Sequence, residues 1–209
     1  MVKPVTFVLV ILGTSFANAQ EKVNYYDNGS IQSKGMLANN QKRGKWEFYY
    51  PNGTRQAIEY YKEGKLDGLV NNFDFNGNLI LDEIWKDGML QDSAFYYYAS
   101  GGLQKKGKYL DGQYQGKWLF FHSNGKLKKA IDYISGEPNG PWRYYNEKGI
   151  LVQEGQYKDG KESGEWKFYT KNGKLHYIGS YENGIRVGEW YIVSKSGKRK
   201  PLDLTSLEN

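Results

Sequence analysis

The chain of 209 residues contains no cysteine, two histidines (His122 and His176) and only 5 prolines. The missing cysteine excludes disulfide scaffolds, thiolate zinc sites, iron–sulfur clusters and thiol catalysis. Two histidines leave little for an imidazole metal site or a catalytic triad. The basic excess is modest, 29 Lys and Arg against 23 Asp and Glu, for a net charge of +6. Those charges are interleaved rather than gathered into a stripe, which disfavours nucleic-acid binding. What the chain has in quantity is glycine, 26 residues, and aromatic rings, with 19 Tyr and 6 Trp. That aromatic content, within 39% apolar residues, is enough to bury a core and argues against disorder.

Residues 1–19 read as an export signal. Lys3 gives a positive start, Val5 to Leu12 is mostly apolar, and Ala17-Asn18-Ala19 fits a small-x-small cleavage site. The apolar run falls short of the ~20 residues a membrane-spanning helix needs. Gln20, not cysteine, follows, so no lipoprotein anchor is expected. With no second apolar run, the expected product is soluble, and periplasmic or secreted after cleavage following Ala19.

Self-similarity organises the rest. Gly44-Lys45-Trp46-Glu47-Phe48-Tyr49 recurs as Gly116-Lys117-Trp118-Leu119-Phe120-Phe121 and Gly140-Pro141-Trp142-Arg143-Tyr144-Tyr145. It returns as Gly164-Glu165-Trp166-Lys167-Phe168-Tyr169 and Gly188-Glu189-Trp190-Tyr191. Gly68 and Ser93 open weaker copies, with Val70 and Phe95 in the tryptophan slot; the 24-residue spacing becomes 25 and then 23 around Ser93. Counting 24 back from Gly44 reaches Gln20, so the expected mature chain begins in frame. The expected organisation is a leader (1–19), a repeat domain (20–200) and a tail (201–209), with residues from Ser196 onward breaking the pattern and capping the last edge.

Each unit has one grammar: a β-forming run, an Asn-Gly turn such as Asn28-Gly29, Asn52-Gly53, Asn76-Gly77, Asn124-Gly125 or Asn172-Gly173, and a second alternating run. A looser Gly-x-x-x-Gly connection, such as Gly160 to Gly164, then leads on. Asn-Gly suits a two-residue hairpin turn with positive φ at both positions. No stretch keeps a 3.6-residue apolar period, so helix is not competitive. If Asn172-Gly173 is a two-residue loop, Trp166 faces Gly179 and Trp142 faces Gly155, and the glycine leaves room for the indole. The second strands carry Tyr61, Trp85, Tyr109, Tyr133, Tyr157 and Tyr181 in register. Alternation sends Trp166, Phe168, Leu175, Tyr177 and Tyr181 to one face and Lys167 and Tyr169 to the other. The expected fold is all-β: an elongated single-layer antiparallel sheet of tandem hairpins, roughly 75 Å long for sixteen strands. Periodicity leaves open whether this sheet stays open or folds back on itself.

Tyr157-Lys158-Asp159-Gly160-Lys161-Glu162-Ser163-Gly164-Glu165-Trp166 resembles the Tyr-x-x-Gly-x-x-x-Gly-x-aromatic core of MORN repeats. The match recurs around Tyr61, Tyr109, Tyr133 and Tyr181. The period and the Asn-Gly-x-Leu turn are most similar to the bacterial variant MORN repeats, often grouped with the YwqK-type antitoxin family. The resemblance implies a scaffold or binding surface serving membrane-lipid contact, protein assembly or toxin neutralisation. It carries over no catalytic residue, and the export signal departs from a cytoplasmic antitoxin.

The residues themselves offer no phosphate loop or dinucleotide fingerprint. His122 occupies a slot that elsewhere holds Tyr50, Asn146 and Thr170, so it reads as repeat variation. His176 and the Asp82-Glu83 pair read as exposed strand positions. Asn28-Gly29-Ser30 and Asn52-Gly53-Thr54 match glycosylation acceptors formally, and the turn explains them. The expected protein is therefore no enzyme and binds no cofactor or metal. Its repeat core is Trp46, Trp118, Trp142, Trp166, Trp190, Tyr109, Tyr133, Tyr157 and Tyr181. A second row, Tyr49, Phe121, Tyr145 and Tyr169, lies between charged neighbours and is the candidate binding strip, suited to sugar rings or a protein partner. The expected function is an exported scaffold for an unidentified protein or envelope component, with an antitoxin or immunity-type protein as the alternative. Lys195, Lys198, Arg199 and Lys200 would supply a weak contact to an anionic membrane surface.

Overall fold

The computed structural model describes residues 19–202. The expected leader, apart from Ala19, and residues 203–209 of the tail lie outside the described residues. The chain forms one sixteen-stranded antiparallel sheet in which the spatial order of strands is their sequence order. The first eight are β1 (Gln20–Tyr25), β2 (Ile31–Ala38), β3 (Gln41–Tyr49), β4 (Arg55–Lys62), β5 (Lys65–Phe73), β6 (Leu79–Lys86), β7 (Met89–Tyr97) and β8 (Leu103–Leu110). They are followed by β9 (Gln113–Phe121), β10 (Leu127–Ile134), β11 (Glu137–Tyr145), β12 (Leu151–Lys158), β13 (Lys161–Tyr169), β14 (Leu175–Glu182), β15 (Ile185–Val193) and β16 (Arg199–Pro201). β1 and β16 do not pair with each other, so the sheet is open rather than closed on itself. No helix among the described residues is long and apolar enough to cross a membrane.

The two kinds of turn are exchanged relative to the sequence expectation. Asn172-Gly173 lies in a three-residue loop: Thr170 N–H donates to Lys174 O, and Gly173 N–H donates to Thr170 O. Only Gly173 takes a positive φ, 80°, and Asn172 does not. This is a type I turn closed by a glycine bulge. Asparagine is used here for its amide. Oδ1 of Asn28, Asn52 and Asn124 accepts the N–H of Ser30, Thr54 and Lys126 at 3.0, 3.0 and 3.1 Å. The two-residue hairpin is the connection expected to be loose. Asp159 and Gly160 have φ of 49° and 79° and join the paired residues Lys158 and Lys161. Glu63-Gly64, Asp87-Gly88, Asp111-Gly112, Ser135-Gly136 and Asn183-Gly184 repeat that geometry.

The register partners nevertheless come out as expected: Trp166 faces Gly179 and Trp142 faces Gly155. The loop bulge adds one residue and restores the pairing that a two-residue loop would have given. The same bulge reverses Leu175, which pairs with Tyr169 and so shares its face rather than that of Trp166.

A second bulge opens each odd strand from β3 to β15. Gln156 pairs with Ser163 and Glu154 with Lys167, so Gly164, Glu165 and Trp166 all lie opposite Gly155. Its first residue needs a left-handed backbone, which glycine adopts without steric cost: Gly164 has φ of 69°. The position recurs as Gly44, Gly68, Asp92, Gly116, Gly140 and Gly188, every one at positive φ. Asp92, not Ser93, therefore opens the fourth unit, and the spacing is 24 throughout. Ala94, fully buried, then occupies the tryptophan slot that the sequence assigned to Phe95. The pattern also continues past Ser196. Ser194 to Lys198 closes the same loop as the earlier units, and Arg199–Pro201 pairs with β15.

Candidate functional site: two aromatic faces of one sheet

The bulge decides what the tryptophans do. A Cβ placed on Gly155 would lie 2.2 Å from Trp166 Cδ2, so the indole rests on Gly155 and not on its register partner Gly179. Trp190 covers Gly179, Trp118 covers Gly107 and Trp46 covers Gly35 in the same way. These four indoles are buried. Trp142 meets Ile131 instead of glycine and stays half-buried. Where the glycine slot holds Glu59 or Glu83, the tryptophan slot shrinks to Val70 or Ala94.

The tyrosines of the second strands bind successive indoles together. Tyr157 meets Trp142 and Trp166 edge-on, with centroids 5.6 and 5.3 Å apart. Tyr181 does the same for Trp166 and Trp190, at 5.7 and 5.1 Å. Edge-to-face geometry sets ring hydrogens against the negative π face and adds ~1 kcal/mol per pair beyond burial. Tyr109 is edge-on to Trp118 at 5.1 Å, and Tyr133 packs against the same cluster. All of the expected core residues lie on this face. Trp46 and Trp118 donate Nε1–H to the carbonyls of Met36 and Lys108, at 3.1 and 3.0 Å.

Polar groups on this face are held by the rings. Buried Glu83 accepts Tyr96 Oη at 2.5 Å and Trp85 Nε1 at 3.0 Å. Burial first, then the hydrogen bond it donates to Glu83, pushes the Tyr96 phenol far up. Tyr61 is raised by burial and by its hydrogen bond to Glu59. Lys42 lies 4.6 Å from the centroids of Phe48 and Tyr61, and burial lowers its pKa.

The opposite face carries the candidate strip. Tyr49, Phe121, Tyr145 and Tyr169 are half-buried at the ends of odd strands. Phe73 and Tyr97 complete the row. The sequence reading missed them because the frame was displaced around Ser93 and the fifth strand lacks tryptophan. Charged neighbours fix the rings. Lys34 stands 5.6 Å from the Tyr49 centroid and pairs with Glu47 at 3.4 Å. Tyr169 Oη donates to Glu154 Oε1 at 2.5 Å, and burial followed by that bond raises its pKa to about 12.

His122 has a structural task. Its Nε2 bonds to Tyr145 O at 2.8 Å, as Tyr50 Oη bonds to Phe73 O at 3.0 Å and Tyr98 Oη to Phe121 O at 2.8 Å. Each such bond joins one unit to the next along the loop edge. On the other edge, Gly64, Gly88, Gly112, Gly136, Gly160 and Gly184 donate N–H to carbonyls of the preceding unit, at 2.8 to 3.0 Å. His176 is half-buried and packs on Tyr177, with centroids 4.0 Å apart. Asp82 contributes to the raised pKa of Tyr97, behind burial. Asn28, the formal glycosylation position, spends Nδ2 on Pro51 O at 3.3 Å. Among the described residues no group of three or more His, Asp or Glu side chains is placed to hold a metal.

The repeats match a known family model, described as the MORN repeat variant, over residues 42–63, 114–134, 138–159 and 162–183. Four units of the chain thus match the variant-type MORN repeat in sequence. No curated protein matches the chain significantly. Among solved structures, the crystal structure of TcdB2-TccC3-Cdc42 is similar over 84% of this chain at 13% identity, with a TM-score of 0.19. A Photorhabdus luminescens Tc holotoxin pore carrying a TccC3 mutation is similar over 84% of this chain at 12% identity, also with a TM-score of 0.19. The chain spans 13% of each of those chains. Likeness at those scores carries no inference about function.

Proposed function

We propose that this MORN-repeat chain is an exported, non-catalytic scaffold that binds a protein or cell-envelope partner through the face bearing Tyr49, Phe73, Tyr97, Phe121, Tyr145 and Tyr169. The observation that carries this reading is the aromatic row among charged side chains, one ring in each of six consecutive units, on the side of the sheet that does not hold the tryptophans. Large half-exposed aromatics flanked by charge are what binding surfaces are built from. Two strands per unit place the rings about 9.6 Å apart, a spacing suited to an extended partner. The narrower reading, neutralisation of a toxin, requires a tight one-to-one complex with a toxin.

A photo-crosslinking residue placed at Tyr145 tests the proposal. The expected result is one dominant adduct from envelope extracts, lost when Tyr169→Ala is added. Equal labelling from a probe at Tyr133, on the tryptophan face, contradicts it. Amino-terminal sequencing of the exported protein, expected to begin at Gln20, tests the export step separately.

A further inference from the structure

On the tryptophan face two lysines occupy the same repeat position in adjacent units. The position that pairs with the residue two after the tryptophan slot is Ser33, Ala57, Leu81, Lys105, Lys129, Gln153 and Tyr177 in successive units. Only the fourth and fifth hold a cation. Phe120 is the register partner of both Lys105 and Lys129, so the two lysines stand on either side of one residue across three adjacent strands. Lys129 Nζ lies 4.2 Å from the Phe120 centroid and 5.4 Å from that of Trp142. Lys105 Nζ lies 4.0 Å from the Tyr96 centroid and donates to Tyr114 Oη at 2.8 Å.

These groups border an open depression of about 390 Å³ lined by Lys105, Lys128, Lys129, Phe120, Trp142 and Tyr144, with no carboxylate in its wall. The ion pairs among the described residues involve none of the three lysines. Glu83, on the same face, is already engaged by Tyr96 and Trp85. Burial, followed by repulsion from Lys128 and Lys105, lowers the pKa of Lys129. Gathering like charges on a half-buried apolar floor costs stability, and such local conflicts concentrate at functional sites. The volume lies in the ~300–1,000 Å³ range of small-ligand sites.

We propose that this depression is a binding site for an anionic saccharide, its acidic group held by Lys105, Lys128 and Lys129 and its ring lying on Phe120 and Trp142. A pyranose presents an apolar C–H face that matches an aromatic ring, and a rim of hydroxyls that the amide of Gln153, also in the wall, can meet. The three cations select for charge and the rings select for a flat sugar, so the neutral sugar and the bare anion each satisfy half of the site. The site lies chiefly on the face opposite the proposed partner strip and shares only Phe121 with it, so changes at Lys105 and Lys129 test it separately from the strip.

Calorimetric titration of the full chain with a galacturonic acid trisaccharide tests this, with maltotriose, inorganic phosphate and a short poly-glutamate peptide as comparisons. The expected result is saturable binding of the acidic trisaccharide alone, weakened roughly tenfold or more in a K105Q/K129Q variant. No binding, equal binding of maltotriose, or phosphate or the peptide binding as well as the trisaccharide overturns the proposal. Lysine acetylation footprinting of the unaltered chain covers the case in which the variant fails to fold. Lys129 is expected to be protected by the acidic trisaccharide and not by maltotriose, and unchanged labelling contradicts the site.

Discussion

Trp166 lies on Gly155, while its register partner across the hairpin, Gly179, lies under Trp190. Trp46, Trp118, Trp166 and Trp190 each cover the backbone of the strand before them, and the tyrosine edge between indoles carries the contact onward. Cohesion passes from unit to unit, as a repeat array with no separate second layer requires.

Gly155→Ala forces that indole away, because its Cβ would sit 2.2 Å from Trp166 Cδ2, in a rigid ring held edge-on by Tyr157 and Tyr181. Overpacking of this kind costs about 1–3 kcal/mol. Gly164→Ala is the comparison: it meets nothing within 4 Å and pays only for its left-handed backbone, about 1–2 kcal/mol. Urea unfolding, read together with tryptophan fluorescence, separates them. Gly155→Ala is expected to shift the emission maximum of the folded protein and Gly164→Ala to leave it in place.

Tyr98→Phe removes one hydrogen bond between units, from Tyr98 Oη to Phe121 O at 2.8 Å. The expected loss is ~1 kcal/mol, or about 2–4 °C in a thermal melt of a chain this size. Tyr25→Phe, at a residue 61% exposed, is expected to stay within about 0.5 kcal/mol of the unaltered protein.

Alkaline pH should unfold the sheet. Burial, reinforced by neighbouring carboxylates, raises the phenols of Tyr157 and Tyr169 to about 12 and pushes Tyr61 and Tyr96 higher. Tyr109 rises too, chiefly by burial. In the unfolded chain tyrosine releases its proton near pH 10. A folded pKa above the unfolded one gives stability that is complete below about pH 10 and is lost as pH rises through the folded value. Lys42 and Lys129, lowered by burial, act in the opposite sense below their unfolded value and are outnumbered. Urea midpoints are expected to hold to about pH 9.5 and then fall, with phenolate absorbance appearing together with unfolding. Ionisation of these tyrosines near pH 10 with the fold intact contradicts the assignment.

Much of this architecture is legible in the residues. The 24-residue period, the paired strands and the facing of Trp166 with Gly179 follow from hydrophobic alternation and turn spacing alone. What misleads is local chemistry with two solutions. Asn-Gly serves a two-residue turn and a glycine-closed three-residue loop equally well. The true two-residue turns are masked by Glu63 and Ser135, residues that seldom adopt positive φ. Asp92 in a glycine slot displaced the frame by one residue, which hid Ala94 and with it Tyr97 from the aromatic row. The cluster of Lys105 and Lys129 around Phe120 requires knowing the register on both sides of β9, which the bulges set.

Native-state amide hydrogen exchange at the two-residue turns tests the stacked ladder most directly. In a free-standing hairpin the turn glycine N–H faces water. Here Gly88, Gly112, Gly136 and Gly160 each donate to a carbonyl of the preceding unit at 2.8 to 2.9 Å. Their amides are expected to be protected together with the strand amides of the central units, to within the stability of the folded state. Exchange of these glycines at unprotected rates while the neighbouring strands stay protected would show that the units do not form one continuous laced sheet.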